Sequence, residues 1–593
     1  MDDRILLRLR DRALGDEPIE DRLQLVLRST SLGQARGRAA DGRSVRARER
    51  LEAREGDPAD QCCREGRGGD HQRPPVTRHL RPPLNARVLY ISQRHQRVSV
   101  AAQRGRRARF LRTLDNLRVP SLIAPKAQLR VAFAAAEAAP FAKVGGLADV
   151  AGSLPQALAR LGCEVTLYVP LHGTIDRAKS GIPAAGAERS VSYGASHVRV
   201  AYPSIERDGV RVVFVANKRV GRDKVYGAPD DAKRYAFFCR SVAAAIEDEP
   251  ADIVHAHDWH AALLVPMIGR RVATIFTIHN LAYQGKTSAE ILAPVGLVKT
   301  RISVEKPGEC NPMARAIARA DIVSTVSPGY AKEILTPEFG EGLEGLLQQR
   351  KADVRGIVNG IDTEFFDPAT DPHIAANYSA EDRRGKAQCK AALQTEGGLR
   401  VDAETPVLGV IGRLVEQKGI DLLTAVAPDL LEGGAQLVVL GSGDPAYEER
   451  WRKLRERYPS RLFLTLGFDA ALAQRIYAGC DLFLMPSRFE PCGLGQLISL
   501  RYGTIPVVRA VGGLADTVRD VDEDPRAGNG FSFRQYDRAA FSGALARALR
   551  AFRRDGDLWN ELRGRAMHED HSWTASAKQY LDMYRLAHKR HRE

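Results

Sequence analysis

Lys143, Gly145 and Gly146 place a glycine pair behind a lysine, directly after the apolar run 131–136. Paired glycines let backbone N–H groups approach an anion, and the positive end of a following helix favours negative charge there. Further on, Arg413 and Lys418 set two cations five residues apart, after a second apolar run at 407–411. A planar guanidinium and a mobile ammonium in fixed places can neutralise a diphosphate. Glu490 stands just ahead of the turn Cys492, Gly493, Leu494, Gly495. A carboxylate there can hold sugar hydroxyls or face a developing cation. Together these residue types suit breaking a bond between a sugar and a diphosphate.

Such groups must be held by elements that end at one place. From residue 129 short apolar runs alternate with helical periodicity: 131–134, 164–169, 211–215, 253–255, 273–277 and 322–325 read as strands. The rhythm restarts near 405, with strands expected at 407–411, 436–440, 462–466, 482–485 and 505–508. Buried parallel strands separated by helices predict an α/β chain of two doubly wound, Rossmann-like domains facing across a cleft. Lys143, His257, His279, Arg413, Gly441 and Glu490 each follow a strand, where ligands sit in this architecture. The expected division is 128–365, 366–575, and a terminal helix with tail over 576–593, whose apolar face carries Tyr580, Leu581, Met583, Tyr584 and Leu586.

The net charge of +15 invites a nucleic-acid partner, but its distribution does not. Residues 1–127 hold 27 Arg, 1 Lys and 16 acids, a net of +12, which leaves +3 for the rest. That segment lacks the patterned apolar residues that offset the entropy of ordering. It has few aromatics to stack on bases, and too many acids for a transit peptide. It reads as an upstream extension, translated from a start placed too early, although no methionine separates Met1 from Met267. Eight cysteines without paired spacing predict reduced thiols and a cytoplasmic protein. No apolar run is long enough for a membrane span. His255, His257 and His260 lie two and three residues apart with no Cys or Glu partner, so no metal site is expected.

Ten ordered blocks together resemble the bacterial glycogen synthase and plant starch synthase family, from about residue 130 to 586. Beside the three stretches above they include 255–260, 277–285, 325–327, 356–362, 440–445, 501–504 and 512–517. The resemblance implies the two-domain glycosyltransferase B fold, with the terminal helix crossing back to the first domain. It implies retaining transfer of glucose from ADP-glucose, a substrate and not a cofactor, to an α-1,4-glucan. Glu490, His279, Lys418 and Arg413 would form the catalytic set. In that reading Glu490 holds the transferred glucose, and His279, beside Asn280, contacts its 6-hydroxyl. Lys143, Gly145 and Gly146 meet the distal phosphate, and Asp149 lines the sugar pocket. Arg413 and Lys418 carry the diphosphate. The backbone N–H groups of Gly493, Leu494 and Gly495 face the phosphate, with Cys492 present for its small size. Phe468 lies by the adenine, and His257 and Asp258 line the acceptor side.

Two departures stand out: Gly495 where relatives carry Thr, and the 311–316 stretch, where relatives have a Lys and a Gly and which is expected on the outer wall. A relative using UDP-glucose or another acceptor, or an inactive glucan-binding protein, are the alternatives.

Overall fold

The structure, a computed structural model, describes residues 128–299, 301–554 and 556–593. The Arg-rich segment 1–127, with the expectations placed on it, lies outside the described residues.

The strands of the first lobe are β1 (Arg130–Ala134), β2 (Glu164–Pro170), β3 (Ala187–Tyr193), β4 (Ser196–Tyr202), β5 (Ser204–Arg207) and β6 (Val210–Val215). They continue with β7 (Ile253–His257), β8 (Ala273–Ile278), β9 (Thr287–Ser288), β10 (Glu309–Cys310), β11 (Ile322–Thr325) and β12 (Val354–Gly356). The second lobe has β13 (Val407–Ile411), β14 (Gln436–Gly441), β15 (Leu462–Leu466), β16 (Leu482–Met485), β17 (Ile505–Arg509) and β18 (Phe531–Phe533).

The first sheet runs β12-β11-β8-β7-β1-β2-β6-β5 and the second β15-β14-β13-β16-β17-β18. All pairings in the two sheets are parallel except β5 with β6. Each sheet reverses its winding once, between β1 and β7 in the first and between β13 and β16 in the second. Crevices open at such points, beyond the carboxyl ends of the strands. The end of β1 leads to Lys143, the end of β7 is His257, and those of β13 and β16 lead to Arg413 and Glu490. Each pair of expected site segments therefore flanks a reversal.

Val131 pairs with Val165 on one side and Ile253 on the other, and all three are buried. Burial on both faces is what makes these strands continuously apolar. The β3–β4 hairpin escaped sequence reading because only Val191, Val200 and Tyr202 in it are buried. Conversely, β7 outruns the expected 253–255 by two residues, Ala256 and His257, since His257 is buried as deeply as Ile253.

The terminal helix spans Trp573–Arg592, starting three residues before the expected 576. Trp573 is itself core, and Ala577, Tyr580, Tyr584 and Ala587 pack with Phe133, Ile253 and Ile275 of the first sheet. The chain thus returns from the second lobe to cover the first. The lobes also meet directly: Ser327 Oγ donates to the Pro491 carbonyl at 2.7 Å. Gly329 N donates to Asp516 at 2.6 Å, and Gly512 N to Glu333 at 2.7 Å. Gly512 has φ +45, and a Cβ there would collide with the Glu490 carbonyl, so only glycine lets this turn close on the Glu490 segment. Among the described residues no helix is long and apolar enough to cross a membrane.

Candidate active site

The glycine turn after β1 caps the Gly146–Arg160 helix, with Gly145 at its N-cap. Glu137, buried and missed by sequence reading, accepts from Val144 N at 2.5 Å and Gly145 N at 3.2 Å. Burial raises its pKa, while those two N–H groups oppose the rise. Gly145 therefore spends its N–H on the protein, and the turn faces the cleft with Lys143 and the unobstructed Gly146. Lys143 Nζ is 2.6 Å from Asp149, an acid in the first helical turn. The signal for Glu137 was available: it is the one charged residue in a run of alanines.

At the neighbouring strand ends the structure brings His257, Asp258, His279 and Asn280 together. Asp258 adopts φ +55 and accepts from His279 N at 2.7 Å. Burial pushes its pKa up to about 7, against the pull of the His279 and Asn280 N–H groups. Burial also drives His279 down to about 3. Both imidazoles are neutral at physiological pH. His257 corrects an expectation: it is 0% exposed and hydrogen-bonded to His279 at 2.9 Å, so it supports the site instead of lining the acceptor side. The alternation along β7 turns its ring inward, beside His255 and Phe133. Trp259 packs under Gly285 and against Tyr235.

In the second lobe Arg413 is exposed and donates to Gln417 at 2.9 Å. Lys418 ends a short turn closed by Gly419 at φ +70. Its ammonium lies 2.5 Å from Glu490, which also accepts from Ser487 Oγ at 3.1 Å. Glu490 is 5% exposed, so a charge removed from most of its water is met by one cation and one hydroxyl. After it Gly493 takes φ +75, and Gln496 Nε2 donates to the Cys492 and Gly493 carbonyls. Cys492 is buried, and burial lifts its thiol to about 12, which keeps it protonated and disfavours the thiolate. Leu494 caps the Gly495–Arg501 helix. Phe468 is 83% exposed, a ring without a core to fill. Asp444 caps its own helix by accepting from Ala446 N.

The 311–316 stretch also corrects an expectation. Asn311 is buried, caps the Pro312–Arg319 helix and donates to Gln284, while Arg315 grips Glu305 through two nitrogens. It is an inner joint of the first lobe.

Residues 130–349 match the starch synthase catalytic domain family, and 405–551 match glycosyl transferases group 1. The chain is 45% identical to a glycogen synthase of Moorella thermoacetica, over 77% of this chain and 97% of that protein. It is 43% identical to a glycogen synthase of Thermotoga maritima, over 77% and 99%. The catalytic domain of starch synthase IV from Arabidopsis thaliana, solved with ADP and acarbose, superposes with a TM-score of 0.72 at 35% identity, over 78% of this chain and all of that one. A sucrose-phosphate synthase from Thermosynechococcus elongatus shares the fold, with a TM-score of 0.52 at 18% identity over 77% and 99%. Two Rossmann-like lobes with these motifs at their reversals, and relatives spanned almost end to end, give one conclusion: the chain is a glycosyltransferase of the glycogen synthase and starch synthase family.

Proposed function

We propose that the protein transfers glucose from ADP-glucose to the terminal 4-hydroxyl of an α-1,4-glucan, keeping the α-linkage. The observation that carries this reading is the Lys418–Glu490 pair at the reversal of the second sheet, with Arg413 on the same loop as Lys418. The sugar–diphosphate bond needs a carboxylate on the sugar side and cations on the leaving side, and these loops supply both. The ADP and acarbose held by the Arabidopsis starch synthase, and the names of the curated relatives, support the same substrate classes.

In this reading the donor's diphosphate draws Lys418 part of the way from Glu490 and engages Arg413. Freed of some of that charge, Glu490 accepts from the glucose hydroxyls and faces the positive charge that grows at the anomeric carbon. The backbone N–H groups at residues 493–495 meet the departing phosphate from a helix N-terminus. Phe468 offers its exposed ring to the adenine, and His279 reaches the sugar 6-hydroxyl. A leaving phosphate oxygen takes the acceptor's proton on the face where the glucan hydroxyl attacks, so the configuration is retained without a covalent enzyme intermediate. The test offers ADP-glucose or UDP-glucose, each with and without glycogen, and measures released nucleoside diphosphate. Glycogen-dependent release, faster with ADP-glucose, is expected. Preference for UDP-glucose would overturn the donor assignment, and no release with either would overturn the activity.

A further inference from the structure

Four groups form a buried line beneath the first reversal. Tyr584 Oη on the terminal helix is 2.7 Å from His255 Nδ1, and His255 Nε2 is 2.6 Å from Thr277 Oγ1. Thr277 Oγ1 in turn lies 2.5 Å from Ser324 Oγ. Both ring nitrogens of His255 are therefore occupied and its plane is fixed. Two residues along β7, the His257 ring lies against it at 3.9 Å between centroids, with Phe133 stacked at 4.0 Å and 24°. Held between these rings, His257 has one polar contact: its Nδ1 is 2.9 Å from His279 Nε2. Its own Nε2 is buried and without a partner.

That asymmetry fixes where the protons are. A neutral imidazole carries one N–H and one lone pair. Burial, with His255 and His279 alongside, keeps His257 neutral, so it holds a single ring proton. Were that proton on Nε2, a buried N–H would have no acceptor, a rarer and costlier defect than an unfilled lone pair. With the proton on Nδ1, His257 donates to His279 Nε2, and the unmet atom is only an acceptor. His279 is neutral too, so its own proton must sit on Nδ1. Its Nδ1 has no hydrogen bond among the described residues and is not among the sealed, unpartnered atoms, so it is open to a ligand.

We propose that His257 is a positioning residue that sets the tautomer of His279, so that His279 meets the donor sugar as an Nδ1–H hydrogen-bond donor. A carboxylate in the place of His257 would impose the opposite form, with the proton on Nε2 and only a lone pair toward the cleft. The role given to His279 rests on the function proposed above; the tautomer does not.

The test uses the full chain labelled with nitrogen-15 histidine, and reads each ring nitrogen as protonated or bare from long-range proton–nitrogen correlation. His279 is assigned by its loss in His279→Gln. In the wild type His279 Nδ1 is expected to be protonated and Nε2 bare; the reverse would overturn the proposal whatever the enzyme's activity. Two variants of equal size then separate position from packing. His257→Asn keeps an amide donor where Nδ1 was, and is expected to retain the tautomer and kcat within a few-fold. His257→Asp accepts instead, and is expected to move the His279 proton to Nε2 and lower kcat by about 10²-fold, the loss of one aligned donor. Equal loss in both variants with the tautomer unchanged would reduce His257 to packing. If His257→Asp does not fold, the wild-type spectrum and His257→Asn still decide. Absence of glucosyl transfer by the wild type would sink the functional reading and leave the tautomer result standing.

Discussion

Lys418 Nζ lies 2.5 Å from Glu490 Oε2, although the two groups are assigned to opposite sides of the bond that breaks. Each neutralises the other in a cleft without donor, and a donor must part them. Lys418→Ala is expected to lower kcat/KM for the donor by roughly 30- to 1000-fold, the range for loss of one aligned charge from a transition-state site. That exceeds the value of a surface ion pair, about 0–1 kcal/mol, because Lys418 is only 26% exposed and its partner 6%. Glucan affinity should change little. Since Arg413 and Lys418 are fixed cations, activity should survive a chelator. Abolition by chelator with rescue by Mg²⁺ would overturn this account of the leaving group.

Glu490→Gln keeps the shape of the side chain and its bond from Ser487 but removes the charge. Turnover should fall about 10²- to 10³-fold, as for other losses of transition-state charge stabilisation. The melting temperature should stay within about 1 °C, a change of about 1 kcal/mol or less. Near-normal turnover of the purified variant would remove Glu490 from the mechanism.

Four buried histidines of the first lobe and the half-buried His279 make folding pH-dependent. Burial lowers His172 to about 4 and His279 to about 3, and holds His255, His257 and His260 well below the usual value of 6.5. Below pH 6.5 the unfolded chain therefore binds protons that the native one refuses. Stability present above that pH is lost as pH falls, by about 1.4 kcal/mol per pH unit for each such group. Asp258 acts with the opposite sign: raised to about 7, it holds a proton in the native state from pH 3.8 to 7 that the unfolded chain has released. The histidines outnumber it. Melting temperature should drop steeply from pH 7 to pH 5, and a flat profile would contradict the burial of these rings.

Much of this was legible from residues. The strands 322–325, 407–411, 462–466 and 482–485 coincide with the expected runs, because buried parallel strands leave uninterrupted aliphatics. The motifs were legible because glycines, cations and acids stand at the ends of those runs. What failed was the direction of side chains. His257 follows the apolar residues of β7 and looks exposed by type, yet the strand continues through it and the alternation sends it inward. Glu137 was passed over although it stands alone among alanines, because the turn it holds, Val144 and Gly145, lies seven and eight residues further on. Asn311 looked peripheral because its partners, Gln284 and Glu305, are remote or irregular in sequence.

The aligned parts of the relatives cover 97–99% of their own length but 77% of this chain, and the first family match begins at residue 130. The proposed chemistry uses no residue before Glu137. A chain beginning at Gln128 should therefore keep kcat and KM within about two-fold and its melting temperature within about 1 °C, about 1 kcal/mol for a protein of this size. Loss of either would show that residues 1–127 contribute to the catalytic lobes.

Gly495 lies against Phe483, a neighbour that sequence reading did not connect to it. A Cβ at 495 would lie 2.9 Å from Phe483 Cε1, 3.2 Å from its Cζ and 3.4 Å from Met485 Sδ. Phe483 is fully buried beside Tyr477 and cannot swing into solvent. The large ring on β16 and the missing side chain at the helix start therefore fill one space. Gly495→Thr should overpack this point and destabilise the protein by about 1–3 kcal/mol. Phe483→Val alone should also destabilise, by leaving a cavity. Joined, the two changes should relieve each other, with a coupling of about 1 kcal/mol or more in a double-mutant cycle of melting curves. In the double variant the new hydroxyl stands at the helix end to which the proposed function assigns the phosphate, so on that proposal the donor KM should fall relative to Phe483→Val alone. Strict additivity of the two stability changes would show that Gly495 and Phe483 do not share that space, and that the glycine here has a different cause.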